Sequence, residues 1–364
     1  MRIAFDHQIF TQQRFGGISR YFAELAPRLK RLGECPRIFA GLHQNEYLRA
    51  VDTEVTRGRF TPGLPRRLHR LRVMANEAYA KRAITRWKPD LVHETYFRSR
   101  SCAPVGTPVV FTVYDMIHEL FPEEFPGQNS ETLVKRQAIE LADHVICISE
   151  HTRNDLIRLF EVDAAKVSVV HLGFASTRHE KPDVAMELRP YFLFVGHRGG
   201  YKNFDRLLQA GAESGIQRDF DLIAFGGEPF SPRESERIAA CGYRQDQVRH
   251  TKGSDGLLAD LYRGAHALVY PSIYEGFGLP PLEAMAQDCP VISSNTSSMP
   301  EVIGDAAEFF SPLDIGDMAR ALALLAESES HRRDLVAKGR ERIKLFSWET
   351  TALKTREIYK NLLR

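Results

Sequence analysis

The 364-residue chain has no apolar run near the length of about 18 residues that a membrane-spanning helix needs, so no such helix is expected. Its five cysteines are odd in number and scattered, and no pair has metal-site or redox spacing. They indicate reduced thiols. Since the first residues also lack an apolar signal core, the sequence predicts a cytoplasmic protein.

Several motifs of other protein classes are missing as well. The pattern G-x-x-x-x-G-K-[ST] does not occur, which argues against a P-loop enzyme. The formal net charge is only +2 and no nucleic-acid-binding module is visible, so nucleic acid is not expected as a partner. Neither low-complexity tracts nor short repeats occur, which excludes fibrous and repeat architectures.

What the chain does contain is an alternation of short apolar runs and amphipathic segments, twice over. This pattern predicts parallel sheets with right-handed helical crossovers, and the length favours two domains. Residues 175–190 are polar, carry two prolines and have no clear period, so we expect a linker there. The predicted class is α/β, with two Rossmann-like domains at 1–175 and 190–346 that face a central cleft.

The most informative stretch is Tyr270–Ala286, YPSIYEGFGLPPLEAMA, which follows an apolar run of strand length. Gly276 and Gly278 predict a loop, and the two prolines suit the first turn of a helix. Glu275 and Glu283 then stand on either side of a helix N-terminus, a natural place for phosphate. Carboxylates around a phosphate site can bind hydroxyls at both ends of a sugar nucleotide.

Two glycine-containing loops offer further donor contacts. In the loop 196–203, Arg198 and Lys202 flank two glycines and suit a diphosphate leaving group, although solvated loop charges explain the pattern equally well. Asn203 is expected to cap the next helix. Gly16 and Gly17 lie between the first strand and first helix, where backbone approaches an anion, but a tight structural turn is the alternative.

His118 lies just past the end of a strand, where open parallel sheets bind ligands, and Asp115 can orient it or pair with it. A surface histidine is the alternative interpretation. His93 and Glu94, at the end of another strand, are similar candidates for ligand contact but have less support.

The segment Arg66–Arg86 carries a concentration of positive charge. It predicts either a solvated helix face or contact with an anionic membrane surface or lipid-diphosphate acceptor. The basic residues of the segment considered for this contact are Arg66, Arg67, Arg70, Arg72, Lys81 and Arg82.

These motifs together resemble glycosyltransferase family four, the retaining GT-B enzymes, over nearly the whole chain. The opening FGGISRY further resembles a bacterial subgroup that includes mannosyltransferases of polysaccharide assembly. The resemblance implies a nucleotide-sugar donor on the second domain, an acceptor on the first, no metal, and a final helix, about 347–364, that returns to the first domain. The motifs that carry it are Gly16-Gly17, Gly196…Arg198…Lys202-Asn203, Tyr274–Ala286, Pro290–Ser293 and Pro300–Val302.

The resemblance also implies roles for single residues. Glu275 contacts the donor sugar, Glu283 the ribose, and Arg198 with Lys202 the diphosphate, which the glycine turn assists. Many members have His-Asp where this chain has Tyr114-Asp115, so either Tyr114 or His118 takes that place, and we favour His118. The expected catalytic set is His118, Asp115, Glu275, Arg198 and Lys202. The expected donor-binding set is Gly16, Gly17, Arg198, Lys202, Gly276, Phe277, Gly278, Leu279 and Glu283.

The resulting hypothesis is a retaining, metal-independent glycosyltransferase of cell-surface polysaccharide synthesis at the inner face of the membrane. It moves a hexose, with mannose from GDP-mannose favoured, to a hydroxyl of a glycan or lipid-linked glycan, and no other cofactor is expected. Two alternatives stay open. One is a sugar-nucleotide epimerase or phosphorylase on the same fold, and the other is a non-catalytic scaffold that binds a nucleotide sugar.

Overall fold

The structure, a computed structural model, describes residues 1–63, 65–127, 129–174 and 189–364. These form two compact units. Unit 1 comprises Met1–Gly173 together with Ser347–Arg364, and unit 2 comprises Phe174–Phe346. The expected linker at 175–190 lies outside the described residues except for its last two.

Unit 1 is built on a seven-stranded parallel sheet with the order β3-β2-β1-β4-β5-β6-β7. The two strands at 91–94 and 109–113, near its centre, are buried along their whole length, as a parallel sheet between helices requires. Its third strand was not expected, because a mostly exposed edge strand that is rich in arginine gives no apolar signal. The strands are β1 (Arg2–Phe5), β2 (Cys35–His43), β3 (Thr56–Phe60), β4 (Leu91–Glu94), β5 (Val109–Val113), β6 (His144–Cys147) and β7 (Val167–Val169).

The helices of unit 1 pack their apolar stripes on this sheet. In the second helix the buried residues include Tyr21, Phe22, Leu25 and Leu29, the face that the helical period predicts. The helices are α1 (Gln8–Gln12), α2 (Gly17–Arg31), α3 (His69–Trp87), α4 (Ile117–Leu120), α5 (Asn129–Leu141) and α6 (Glu150–Phe160). The short helices α1 and α4 follow β1 and β5, respectively, in the chain.

Unit 2 has a six-stranded parallel sheet with the order β10-β9-β8-β11-β12-β13. The strands are β8 (Tyr191–Val195), β9 (Asp221–Phe225), β10 (Val248–Thr251), β11 (Ala267–Tyr270), β12 (Val291–Ser294) and β13 (Glu308–Phe310). The helices are α7 (Phe204–Ser214), α8 (Pro232–Ala240), α9 (Asp255–Gly264), α10 (Leu279–Ala286), α11 (Met299–Ile303), α12 (Ile315–Glu327) and α13 (Glu329–Arg342).

The last helix, α14 (Trp348–Leu362), belongs to unit 1 although it follows unit 2 in the chain. The backbone of Trp348 approaches Gly173 so closely that a Cβ there would lie 2.4 Å from it, which leaves room only for glycine. Further along, Tyr359 is fully buried, and its hydroxyl lies 2.5 Å from Nδ1 of His93. The predicted fold class and the return of the final helix are confirmed.

In each sheet the strand order reverses beside a central strand, between β1 and β4 in unit 1 and between β8 and β11 in unit 2. Loops after such strands diverge and leave a crevice at the carboxyl edge of the sheet. The candidate residues lie at these two edges. Within the described ranges, no helix is both long and apolar enough to cross a membrane.

Candidate active site

The carboxyl edge of the unit 2 sheet brings together the loops that follow β8 and β11. The Nζ atom of Lys202 lies 2.5 Å from Oε1 of Glu275, and both side chains are largely buried, with 13% and 11% exposed. The backbone joins the same loops, because the N–H of Ile273 donates to the carbonyl of Tyr201 at 2.7 Å. The structure thus pairs two of the predicted site residues.

Serine side chains fix the backbone around Glu275. Its N–H donates to Oγ of Ser297 at 3.0 Å, and its carbonyl accepts from Ser297 and Ser298 at 2.6 and 2.9 Å. Ser298 also donates to the carbonyl of Phe277, whose ring packs edge-on against Phe346. The Glu275–Phe277 loop is therefore held at its backbone, as a preformed site requires.

Helix α10 begins directly after this loop. Gly278 has φ 101°, a left-handed conformation that favours glycine, and Leu279 is the first helical residue. Since Pro280 and Pro281 carry no N–H, Leu279 is the only one of the first three helical residues with a backbone donor. The helix dipole still favours an anion at this end.

Glu283 lies on α10, one turn from its start, and is half-buried. Its Oε2 accepts a hydrogen bond from the hydroxyl of Tyr262 at 3.2 Å. Burial raises the pKa of Tyr262 well above its usual value, so this phenol stays a donor. One edge of the Glu283 carboxylate is thereby positioned by the protein.

Arg198 is bound by groups of its own unit. Its guanidinium donates to Glu234 at 2.7 Å and to the carbonyls of Gly226 and Glu228 at 3.3 and 2.6 Å, and it lies over the ring of Phe230. A diphosphate can replace Glu234 at this guanidinium only if that ion pair opens. Burial acts to raise the pKa of Glu234, but hydrogen bonds from Arg198 and Ser231 outweigh burial and lower it.

Asn203 occupies the predicted N-cap position of α7, but its side chain makes no capping hydrogen bond. It has φ 62° and its side-chain amide donates instead to the carbonyls of Pro271 and Pro312, at 3.0 and 2.7 Å. It therefore ties the β8 loop to the β11 loop. In the same loop after β8, Nε2 of His197 lies 3.0 Å from the hydroxyl of Tyr201. Burial lowers the pKa of this histidine.

In unit 1, Gly16 and Gly17 form the turn into α2. A Cβ on Gly16 would lie 2.2 Å from Oε1 of Gln13, which itself accepts from the N–H of Ser19. A Cβ on Gly17 would meet none of the described atoms within 4 Å. A side chain on Gly16 would therefore displace the Gln13 amide from Ser19, whereas Gly17 has open space beside it.

His118 lies on α4, where its Nε2 is 3.7 Å from Oε2 of Glu131 and its ring contacts Phe125 at 4.3 Å between centroids. Asp115 does not pair with it in the described structure: its carboxylate accepts instead from the N–H of Ile117 at 3.1 Å. The carboxylate that faces His118 is therefore Glu131.

The phenol hydroxyl of Tyr114 lies in the core of unit 1. Its ring packs edge-on against Tyr21, and burial raises its pKa well above the usual value. Its buried hydroxyl is poorly placed to bind a ligand, whereas the side chain of His118 is 22% exposed.

His93 is a core residue. Its nitrogens contact Tyr359 and Thr112, at 2.5 and 2.8 Å, and burial lowers its pKa to about 3. Glu94 is also buried, and burial together with nearby Asp6 raises its pKa to about 7. These side chains stabilise the region where β1 and β4 meet. His93 is therefore not placed to contact a ligand.

Helix α3, which contains most of the predicted basic segment, has a buried polar face. Arg72 is buried and donates to the carbonyl of Thr11 at 3.1 Å, so it is not available to a membrane surface. Asn76 is buried on the same face, while Leu71 and Met74 are 62% and 67% exposed. The side chain of Arg66 lies outside the described residues.

Sequence analysis missed Glu131, Glu234 and His197 as members of these sites. Glu234 carries a recognisable signal, because Ser231 and Glu234 form a capping box at the start of α8. That pattern predicts a helix start but not the contact with Arg198. Glu131 has no local signal, since it reaches His118 only through the packing of α5 on α4. The described residues contain no group of three or more His, Cys, Asp or Glu side chains placed to hold a metal.

Two family models match the chain and together cover most of it. The model "Glycosyltransferase Family 4" matches residues 15–178, and the model "Glycosyl transferases group 1" matches residues 176–342. Their boundary at 176–178 falls close to the start of unit 2.

Curated relatives and solved structures agree with these matches. O-antigen chain mannosyltransferase B of Escherichia coli is 29% identical, over 70% of this chain and 70% of that protein. MMP alpha-(1->4)-mannosyltransferase of Mycolicibacterium hassiacum is 31% identical, over 63% of this chain and 56% of that protein. Alr3699/HepE of Anabaena, solved in complex with UDP and glucose, has a TM-score of 0.72 at 16% identity, over 99% of each chain, and shares the fold.

Proposed function

From the premise that the chain belongs to the family-four glycosyltransferases, with their two-domain GT-B fold, we propose which reaction it catalyses. It transfers a hexose, with mannose favoured, from a nucleotide-diphospho-sugar to a hydroxyl of a glycan or lipid-linked glycan. The reaction serves cell-surface polysaccharide synthesis at the inner face of the membrane. Unit 2 holds the donor and unit 1 holds the acceptor.

The observation that supports a donor site most strongly is the buried Lys202–Glu275 pair beside the N-terminus of α10. Lys202 supplies the cation that the diphosphate needs, and Glu275 is then released to contact the sugar hydroxyls. Glu283 accepts hydrogen bonds from the ribose hydroxyls with the carboxylate edge opposite Tyr262. In this assignment the diphosphate lies between Glu275 and Glu283, just as it lies between the sugar and the ribose in the donor.

In the proposed mechanism the configuration of the donor sugar is retained and no metal takes part. The acceptor oxygen attacks the anomeric carbon from the face of the leaving group. The bond from that carbon to the diphosphate breaks, and a diphosphate oxygen takes the proton of the acceptor hydroxyl. Lys202, Arg198 and the α10 dipole stabilise the charge that develops on the leaving group.

The choice of mannose and GDP-mannose rests on the relatives, two of which carry the name mannosyltransferase. A thermal-shift panel tests it, with GDP, UDP, dTDP and their sugar nucleotides on the wild type and on Glu283→Ala. Because a ligand of the folded state raises stability by mass action, we expect a rise in melting temperature with GDP and GDP-mannose that Glu283→Ala weakens. A rise in melting temperature with only another base would identify a different nucleotide sugar as the donor. No rise with any of them at millimolar concentration would overturn the proposed donor site.

Contact with an anionic membrane through α3 belongs to the same proposal. The helix exposes Leu71 and Met74 close to Arg67 and Arg70, while it buries Arg72. Exposed apolar groups among cations suit the interface of a bilayer with acidic headgroups.

Vesicle sedimentation tests this contact. The wild type is expected to pellet with phosphatidylglycerol vesicles and much less with phosphatidylcholine vesicles. The double variant Leu71→Ser/Met74→Ser should remain in the supernatant, whereas the control Leu345→Ser, at a residue 61% exposed in unit 2, should pellet like the wild type. Equal binding by both variants would remove α3 from the proposal.

A further inference from the structure

We propose that Glu131 is a positioning residue for His118. It holds the imidazole proton on Nε2, so that Nδ1 accepts a hydrogen bond from the hydroxyl of the sugar acceptor. This inference rests on the proposed function, in which unit 1 binds the acceptor, and it adds that His118 contacts that acceptor. It assigns the acceptor side of the reaction to a pair of residues that lie 13 positions apart in the sequence.

The contacts of the Glu131 carboxylate divide between its two oxygens. Oε1 accepts a hydrogen bond from the hydroxyl of Tyr96 at 2.8 Å, and Oε2 lies 3.7 Å from Nε2 of His118. The ring of His118 also packs against Phe125, at 4.3 Å between centroids. In the part of the chain that the structure describes, Nδ1 of His118 has no hydrogen-bond partner and is therefore the nitrogen left for a ligand.

The two helices that carry the pair are joined by a second, buried contact. Lys135 lies one turn after Glu131 on α5, and its side chain is only 1% exposed. It donates to the carboxylate of Glu119 on α4 at 2.7 Å and to the carbonyl of Asp115 at 3.2 Å. Because positions i and i+4 share a helix face, this contact fixes the face of α5 that presents Glu131 to His118.

The position of Glu131 in its helix also suits a carboxylate. It lies in the first turn of α5, where the helix dipole favours a negative charge. Burial raises the pKa of Tyr96 above its usual value, and Glu131 raises it further, so this phenol remains a hydrogen-bond donor to the carboxylate. The carboxylate of Glu131 lies 3.7 Å from Nε2 of His118 and can only accept hydrogen bonds, so its charge favours the tautomer with the proton on that nitrogen.

The consequence for the reaction is a hydrogen-bond acceptor of fixed position at Nδ1. That nitrogen orients the attacking hydroxyl, whose oxygen forms the new bond to the anomeric carbon. The hydroxyl proton still leaves to a diphosphate oxygen, so His118 ends the step in its starting protonation state.

The deciding experiment reads the tautomer of His118 by nitrogen-15 NMR of histidine-labelled protein at pH 8, with His118→Gln used to assign the signal. We expect the Nε2–H tautomer in the wild type. In Glu131→Gln the amide oxygen can keep the Tyr96 contact, which turns the amide N–H towards Nε2 and shifts His118 to the Nδ1–H tautomer. Tyr96→Phe retains the carboxylate and should keep the wild-type tautomer.

Kinetics then show whether the tautomer matters. With GDP-mannose as donor and methyl α-mannoside as acceptor probe, kcat/KM for the probe should fall on the order of 100-fold in Glu131→Gln. GDP binding should stay unchanged, because the donor site lies in unit 2. The matched control is Glu123→Gln, which makes the same charge change at an exposed residue of the preceding loop and should have no effect.

The same His118 tautomer in wild type and Glu131→Gln would overturn the proposal, and so would an unchanged kcat/KM. Melting temperatures of all variants exclude unfolding as the cause of a loss. If the wild type neither binds nor turns over any sugar nucleotide, the proposed function fails, whereas the tautomer measurement still decides the pairing of Glu131 with His118.

Discussion

The two sheet edges of this protein treat charge differently. At the unit 2 edge, Lys202 faces Glu275 in a one-to-one pair of opposite charges. At the unit 1 edge, Arg98 lies within 3.9 Å of both Asp6 and Glu94, two carboxylates with 0% and 1% exposure. A one-to-one pair can open for a charged ligand at moderate cost, because each partner can contact the ligand instead. A buried cluster with excess negative charge loses stability when its shared cation leaves.

The difference indicates a division of labour. The unit 2 edge has cations that can bind an anionic donor, whereas the Asp6–Glu94–Arg98 cluster serves mainly to hold β1 and β4 together. In the proposal, ligand contact in unit 1 falls to His118, which is not a member of this cluster. The following predictions test this comparison, beginning with the largest expected effect.

Removal of the shared cation in unit 1 should cost the most stability. Arg98→Met leaves Asp6 and Glu94 buried without their counter-charge, so the free energy of unfolding should fall by about 3–5 kcal/mol. Arg198→Met in unit 2 should cost clearly less, because its partner Glu234 is 27% exposed and can be hydrated. Urea unfolding of both variants measures these free energies. Equal losses of stability would show that the two sheet edges do not differ in this way.

Removal of the paired cation in unit 2 should cost activity, and it also leaves Glu275, whose side chain is only 11% exposed, without its counter-charge. Lys202→Met takes a charge from the leaving group, so kcat/KM for the sugar nucleotide should fall about 100- to 1,000-fold. Steady-state release of nucleoside diphosphate measures it. The control Lys252→Met alters a lysine of the same unit that is 64% exposed and should leave the rate unchanged. Near wild-type turnover in Lys202→Met would remove this lysine from the site.

The buried carboxylate in unit 1 predicts a dependence of stability on pH. Burial and Asp6 raise the pKa of Glu94 from 4.5 to about 7, so the folded state holds this proton more tightly than the unfolded chain. Its contribution to stability is complete below pH 4.5 and is lost as pH rises to 7. Glu94→Gln should therefore gain up to about 3 kcal/mol relative to wild type between pH 5 and pH 8.

Thermal melts of wild type and Glu94→Gln at both pH values measure that gain. A constant difference between them at pH 5 and pH 8 would show that Glu94 has no raised pKa.

The smallest effect is expected at the ribose contact. Glu283→Ala should weaken GDP binding about 10-fold, the loss of about one hydrogen bond to a charged group. The control is a 2′,3′-dideoxy nucleotide, whose affinity should already be low in the wild type and should fall no further in Glu283→Ala. A further fall with the dideoxy compound would place the effect of Glu283 outside the ribose.

Sequence analysis recovered the α/β class and the two repeated halves, because buried parallel strands and amphipathic helices leave strong local patterns. It also predicted the region of Glu275, since glycine, proline and carboxylate at fixed spacing lie in one continuous stretch. The edge strand β3 was missed, because its exposed residues carry no such pattern.

Contacts between distant segments escaped sequence analysis for a physical reason. The partner of His118 proved to be Glu131 rather than Asp115, since the packing of α5 on α4 decides which carboxylate faces the ring. Asn203 was predicted to cap α7, yet its amide binds two carbonyls of other loops. In both cases the residue type was informative and its partner was set by tertiary structure.

Titration calorimetry with GDP tests the division between the two units most directly. It compares the wild type with Lys202→Met in unit 2 and Glu131→Gln in unit 1. The account predicts that wild type and Glu131→Gln bind GDP with the same affinity and that Lys202→Met binds it far more weakly. Undiminished GDP binding by Lys202→Met, or a loss of binding in Glu131→Gln, would contradict the account.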